Sequence, residues 1–251
     1  QFPGMRIIGP NCLGILAPHA SLNASFATDM PAKGSVAFLS QSGALCSSVL
    51  DWALQEKIGF SCFVSVGNML DVGIADLIDY LAMDQCTESI ILYVESITEA
   101  RQFMSAARAF TKSKPIIVYK AGRFAESAKA AASHTGALAG VDAVYQAAFT
   151  RAGMVRVFEI DHLFDCAELL ARHASPKVSR LAIVTNAGGP GVIATDALLE
   201  RHGTLANLSD TTLAQLDKQL PNAWSHGNPV DVLGDATPAR IGKAVKVVLS
   251  D

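Results

Sequence analysis

Aromatic residues are scarce in this 251-residue chain, at 7%, and charged residues make up only 17%. No run of Lys or Arg occurs, and the formal net charge is −3. Nucleic-acid binding rests on a basic footprint, so that class of partner is not expected. The apolar runs stop far short of the ~20 residues that a membrane span needs. No secretory leader is visible at the N-terminus, which predicts a cytoplasmic protein with no membrane partner. The cysteines (Cys12, Cys46, Cys62, Cys86, Cys166) are odd in number and lack CxxC spacing. They read as reduced thiols, not as a disulfide framework or a zinc site. No HxxxH or His/Cys cluster suggests a metal. No GxxxxGK[ST] occurs and no GxGxxG follows a strand, so neither common nucleotide loop is present.

What is present is apolar and small. Hydrophobic residues reach 50%, and mean hydropathy is +0.30. That excludes a disordered chain. A chain of this length buries roughly 70–75% of its unfolded surface without staples. Its length allows one large domain or two modest ones.

Short apolar runs alternate with helical patterns. Strands are expected at Val36–Leu39, Phe60–Val66, Ile90–Val94, Ile116–Tyr119 and Val155–Phe158. Helices are expected at Ala44–Glu56, Ile74–Leu81, Ala100–Thr111 and Asp161–Arg172, with apolar residues at helical spacing. This order predicts a mostly parallel sheet covered by helices on both faces. Ser175-Pro176-Lys177 marks a boundary, after which the pattern restarts with a strand at Leu181–Val184 and a helix at Gly191–Arg201. The expected division is residues 1–30 as the end of, or linker from, a preceding domain, then 31–174, a linker at 175–179, and 180–251. The chain opens on Gln1 and stops inside a helical pattern at Asp251. Both ends predict a fragment of a longer polypeptide, with the second domain truncated.

The restart reads as a repeat. SVAFLSQSGALCSSVL matches RLAIVTNAGGPGVIAT in pattern, and the Gly67–Val72 stretch has a counterpart in Gly227–Val232. Ligands gather at the carboxyl ends of parallel strands. Ser40-Gln41-Ser42-Gly43 and Asn186 through Gly191 both fall there, each leading into a helix N-terminus. Unpaired N–H groups and the helix dipole favour an anion at such ends. The alternative is that Ser42 only caps its helix and the glycines only make tight turns.

His134 stands in a run of small residues, AAASHTGALAG. Neutral imidazole is a competent nucleophile toward phosphorus. The alternative is an exposed loop histidine. Glu95 ends the apolar strand ILYVE. It could orient the imidazole of His134, or it could cap a helix or sit in an ion pair.

With these residues together, the sequence resembles the NDP-forming acyl-CoA synthetases of the succinyl-CoA ligase superfamily, of the acetate–CoA ligase (ADP-forming) type. Gly9–Gly14 is similar to the family's GPNC-(P/L)-G segment, and Ser40–Gly43 to its S-x-S-G. Ser133–Ala137 is similar to its phosphohistidine loop, and Asn186–Gly191 and Asn228–Asp231 to its Asn-Gly turn and NP-x-D. The resemblance implies two flavodoxin-like α/β domains and a phosphoryl relay. In that relay His134 and Glu95 are catalytic. Ser42, Gly43, Asn186, Gly188 and Gly189 bind phosphate, and Asn11 and Cys12 lie near the substrate. It also implies CoA, ATP or ADP and Mg as cofactors, bound largely by CoA-binding and ATP-grasp domains outside this chain. A small carboxylic acid is the implied substrate and a homo-oligomer the implied assembly. A second relative is the synthetase-like region of large bacterial protein lysine acetyltransferases, which Leu22–Phe26 and Leu50–Ala53 resemble. That relative implies a regulatory module that senses acyl-CoA or nucleotide.

Overall fold

The computed structural model describes residues 4–124, 127, 141–172 and 180–251. The chain divides into two compact units, Gln1–Ser175 and Pro176–Asp251. The expected linker at 175–179 and the loop around His134 fall outside the described residues.

The first unit is built on a seven-stranded sheet. Its parallel part comprises β3 (Ala32–Ser40), β4 (Gly59–Ser65), β5 (Ser89–Val94), β6 (Ile116–Lys120) and β7 (Val155–Val157). The order β4-β3-β5-β6-β7 is the flavodoxin-like 2-1-3-4-5 arrangement. Helices α1 (Gly43–Glu56), α2 (Ile74–Met83), α3 (Ala100–Phe110), α4 (Asp142–Arg151) and α5 (Ile160–Arg172) cover it. Alternation along the strands decides which face each helix meets. On β3, Val36 and Phe38 face α1 and α5, beside Cys46, Val49, Leu163 and Ala167. Ala37 and Leu39 face α2, α3 and α4, beside Ile78, Phe103 and Phe149. Both faces are dry, which is why these strands read as unbroken apolar runs.

Two strands were not expected from the sequence. β1 (Gly14–Ala17) pairs antiparallel with β4, and β2 (Leu22–Ser25) pairs antiparallel with β1. The sheet is therefore mixed at this edge. The ladder bonds of β1 and β2 come from partners far along the chain or across a turn, and the side chains of β2 are mostly exposed. No apolar alternation marks it.

The second unit is smaller. β8 (Arg180–Leu181) and β9 (Val184–Thr185) are separated by Ala182 and Ile183. β10 (Thr204–Leu205) pairs in parallel with β8, and β11 (Val230–Asp231) with β9. Helices α6 (Gly188–Glu200), α7 (Asp210–Gln219) and α8 (Pro238–Leu249) accompany them. Leu216, Trp224, Val230, Val232 and Ala244 form the core. Helix α6 begins at Gly188, three residues before the expected start, because Gly188 and Gly189 adopt the helix rather than the turn.

The first repeat signature has a geometric counterpart. Ser40 Oγ accepts from the Ser42 N–H and donates to the Ser42 carbonyl, both at 3.0 Å. Thr185 Oγ1 does the same with Ala187, at 3.1 and 2.9 Å. One hydroxyl locks each strand-to-helix turn. The second signature has none. Gly67–Val72 follows β4, whereas Asn228 precedes β11, which stands beside β9 as β5 stands beside β3.

Candidate active site

Strand β3 lies at the point where the order of the parallel sheet reverses, so the loops leaving β3 and β5 part to opposite sides. The turn Ser40–Gly43 ends β3. Ser42 is the N-cap of α1: its backbone is extended, and its hydroxyl accepts from the Leu45 N–H at 3.2 Å. Gly43 opens the helix, and a Cβ there would have no neighbour closer than 3.7 Å. The first-turn amides of α1 are donors that the helix itself cannot use.

Glu95 follows β5. Gln41 ties the two strand ends together, a role that the sequence did not reveal. Its Oε1 accepts from the backbone N–H of Glu95 and of Ser96, the latter at 3.0 Å, and its Nε2 donates to the Ser96 carbonyl at 2.9 Å. The position of Glu95 is thus set through its backbone, leaving its carboxylate to other uses. Among the described residues Glu95 forms no ion pair, and α3 starts only at Ala100.

Residues 6–12 run along residues 66–72. The N–H groups of Asn68, Leu70 and Val72 donate to the carbonyls of Pro10, Gly9 and Ile7, at 2.9, 2.9 and 3.0 Å. Asp71 accepts from the Ile7 N–H at 2.7 Å and from Arg6 Nε. That N–H and the guanidinium hold its carboxyl below the usual range. Asn11 has φ 56 and donates from Nδ2 to Asn68 Oδ1 at 3.3 Å. This zipper delivers Asn11 and Cys12 to the strand ends. The result is a cleft of about 830 Å³ whose lining includes Asn11, Cys12, Gln41, Ser42, Gly43 and Glu95.

On the buried face of α1, burial pushes the Cys46 thiol up to about 12, against contacts from Ser40 and Ser65. It is a packing residue, not a nucleophile. At the end of β6, Lys120 is buried and donates to the Ala121 carbonyl. Its ammonium lies 4.5 Å from the centre of the Tyr145 ring. Burial lowers its pKa, opposed by Asp142 and Glu95. A lysine inside an apolar strand carries no motif, so sequence reading passed over it.

Of the residues singled out from sequence, Asn11, Cys12, Ser42, Gly43 and Glu95 therefore share one cleft. Asn186, Gly188 and Gly189 lie in the second unit at the N-terminus of α6, where Ala187 is the N-cap without a side-chain bond. The Asp231 carboxylate stands beside that end, 3.4 Å from where a Gly188 Cβ would sit. An anion bound there shares the helix end with a fixed negative charge. His134 lies outside the described residues. Among the described residues, no group of three or more His, Cys, Asp or Glu could hold a metal ion. Nor is any helix among them long and apolar enough to cross a membrane.

Because Gln41 fills three backbone partners from one side chain, its removal is felt at Glu95. We expect Gln41→Ala in the full-length protein to slow any chemistry that uses Glu95 about 100-fold, the scale of a ~1 Å misplacement. Single-turnover rates check this. An unchanged rate would show that Gln41 is only a turn residue.

The family model for the succinyl-CoA ligase-like flavodoxin domain matches residues 33–170, and that for the ligase-CoA domain matches residues 181–251. The acetate–CoA ligase [ADP-forming] II subunit alpha of Pyrococcus furiosus is 46% identical over 99% of this chain and 54% of its own length. The acetate–CoA ligase [ADP-forming] I of Archaeoglobus fulgidus is 42% identical over 99% of this chain and 36% of its own length. A solved structure of the Candidatus Korarchaeum cryptofilum dinucleotide-forming acetyl-coenzyme A synthetase 1, in complex with phosphate and ADP, superposes with a TM-score of 0.93. It is 37% identical and covers 99% of this chain and 54% of that one. The chain thus spans about half the length, or less, of the relatives it matches.

Proposed function

The chain belongs to the succinyl-CoA ligase-like family of NDP-forming acyl-CoA synthetases, and from that premise we propose that it forms the phosphoryl-relay part of an ADP-forming acyl-CoA synthetase. In this reading acyl-CoA and phosphate give an acyl phosphate and CoA. His134 attacks the phosphorus, the P–O bond to the acyl group breaks, and the carboxylate leaves. The phosphoryl group then passes from His134 to ADP.

The observation that supports this most is the meeting of Ser42, Gly43 and Glu95 on one cleft at the ends of β3 and β5. The N-terminus of α1 suits a phosphate dianion, with about 0.3–1 kcal/mol from the dipole at an exposed end and up to ~2 kcal/mol when partly buried. Glu95 would hold one imidazole nitrogen of His134 and leave the other free to attack. Asn186, Gly188 and Gly189 would serve the second phosphate position, and Asn11 and Cys12 would lie near the acyl group. CoA, ADP and Mg would be held largely by CoA-binding and ATP-grasp domains of the same polypeptide or a second subunit. The relatives described above carry ligase or synthetase names, and nothing in them favours a sensing module of an acetyltransferase.

The test uses the full-length protein, labelled ATP and Mg²⁺. Label on the protein should be acid-labile and base-stable, and ADP should discharge it. Acid-stable label, or none, would sink the relay.

A further inference from the structure

The cleft at the ends of β3 and β5 opens in two directions. On one side a hollow of about 550 Å³ shares Cys12, Leu13 and Phe26 with it. Ile8, Ile15, Ala24 and Val72 complete most of its wall. On the other side a hollow of about 300 Å³ shares Met69, Ser96 and Thr98 with the cleft and is bordered by Asp71, Asp76 and Glu99. Both walls carry apolar side chains, Leu70, Ile74, Ile97 and Phe103 among those of the second, but the first holds one charged residue and the second three carboxylates.

The apolar hollow has one charged residue, Arg6. Its guanidinium is bound to Asp71 at 3.0 and 3.1 Å and to Asp76 at 3.4 Å, so its charge is already matched. Phe26, directly after β2, marks the seam between hollow and cleft. Its backbone N–H donates to the Leu13 carbonyl at 3.0 Å, yet its ring is 87% exposed. A phenyl ring fixed by its backbone and left in water gains when apolar surface covers it.

An acyl phosphate is a dianion at one end and hydrocarbon at the other. With its phosphate at the N-terminus of α1, the hydrocarbon must leave the cleft by one of these two openings. Asp71 and Asp76 are matched by Arg6, but Glu99, which forms no ion pair among the described residues, stands on the smaller hollow and disfavours an anionic substrate there. The other opening is dry-walled and adjoins Cys12.

We propose that the hollow walled by Ile8, Leu13, Ile15, Val72 and Phe26 is the acyl arm of the site. It takes the uncharged tail of a monocarboxylic acid, and Phe26 sets the size admitted. A dicarboxylate is excluded because the one cation on the wall is held by Asp71 and Asp76. This inference rests on the acyl-phosphate reading given above.

The test compares kcat/KM for acetate, isovalerate, phenylacetate and succinate with the full-length enzyme. Phe26→Ala should raise the phenylacetate-to-acetate ratio at least tenfold. Ala24→Phe, which places a ring in the arm from an exposed position on β2, should lower it at least tenfold. Succinate should be the poorest of the four. If either ratio moves less than tenfold or the opposite way, or if succinate is preferred, the acyl arm is overturned. Labelling of the wild-type protein by ATP needs no acid and reads the relay separately. If wild type labels and turns over while the ratios stay fixed, the arm fails and the relay stands.

Discussion

Replacing His134 by asparagine in the full-length protein should abolish the acid-labile phosphoenzyme and the overall ligase reaction. Asparagine keeps a polar side chain of similar reach but has no nucleophilic nitrogen, because its amide lone pair is delocalised. Imidazole is neutral and nucleophilic near pH 7. Glu95→Gln is the companion variant. Gln41 holds residue 95 by its backbone N–H, so the turn survives loss of the carboxylate. What is lost is the negative charge that would orient and stabilise the imidazole, and the expected fall is 10²- to 10⁴-fold in the rate of labelling. Quench-flow measurement of label from ATP checks both. Undiminished label in the asparagine variant would remove His134 from the relay. Full-rate label in Glu95→Gln would reduce Glu95 to a strand-end residue.

The second large effect is on the fold. Gly67 has φ +55, and a Cβ there would press into the carbonyl groups of Pro10 and Asn11. Both are backbone atoms, and Pro10 O is already the acceptor for the Asn68 N–H. Gly67→Ala must therefore pull residues 7–12 away from residues 66–72. Left-handed backbone costs a non-glycine residue roughly 1–2 kcal/mol, and a tight-packing clash costs about 1–3 kcal/mol more. At about 2–4 °C per kcal/mol for a unit of this size, Tm should fall by about 4–20 °C. Catalysis should fall as well, because Asn11 and Cys12 leave the cleft. Gly242→Ala is the control. It lies inside α8 with nothing within 4 Å of the added carbon, and helix propensity favours it by ~0.5–1 kcal/mol. Differential scanning calorimetry separates the two. A Gly67→Ala variant as stable as wild type would show that the zipper yields without cost.

Several parts of this molecule were open to reading from its residues. The parallel strands β3 to β6 announce themselves as apolar runs because both faces are buried. Ser42 announces α1 because a hydroxyl before a helical pattern is a cap. Glu95 at the end of ILYV falls at a strand end wherever that strand lies. Each of these signals is local: residue type, spacing and the next few neighbours decide it.

Other parts depend on which segments meet. β2 has four residues with three exposed, and only pairing with β1 makes it a strand. Gln41 reads as a turn residue until β3 and β5 stand side by side and place Glu95 and Ser96 in its reach, more than fifty positions away. Phe26 carries no signal of its own in the sequence, and its place beside the cleft follows from the tie between its backbone N–H and the Leu13 carbonyl. The similar strings at Gly67 and Gly227 read as a repeat until the pairing of β11 with β9 gives them different places. The sequence by itself determined the strand and helix types, the caps, and the residue chemistry suited to a phosphoryl group. Only the tertiary structure decided which of those residues share a cleft and where it opens, because adjacency between distant segments is set by the ladder and the packing of both faces together.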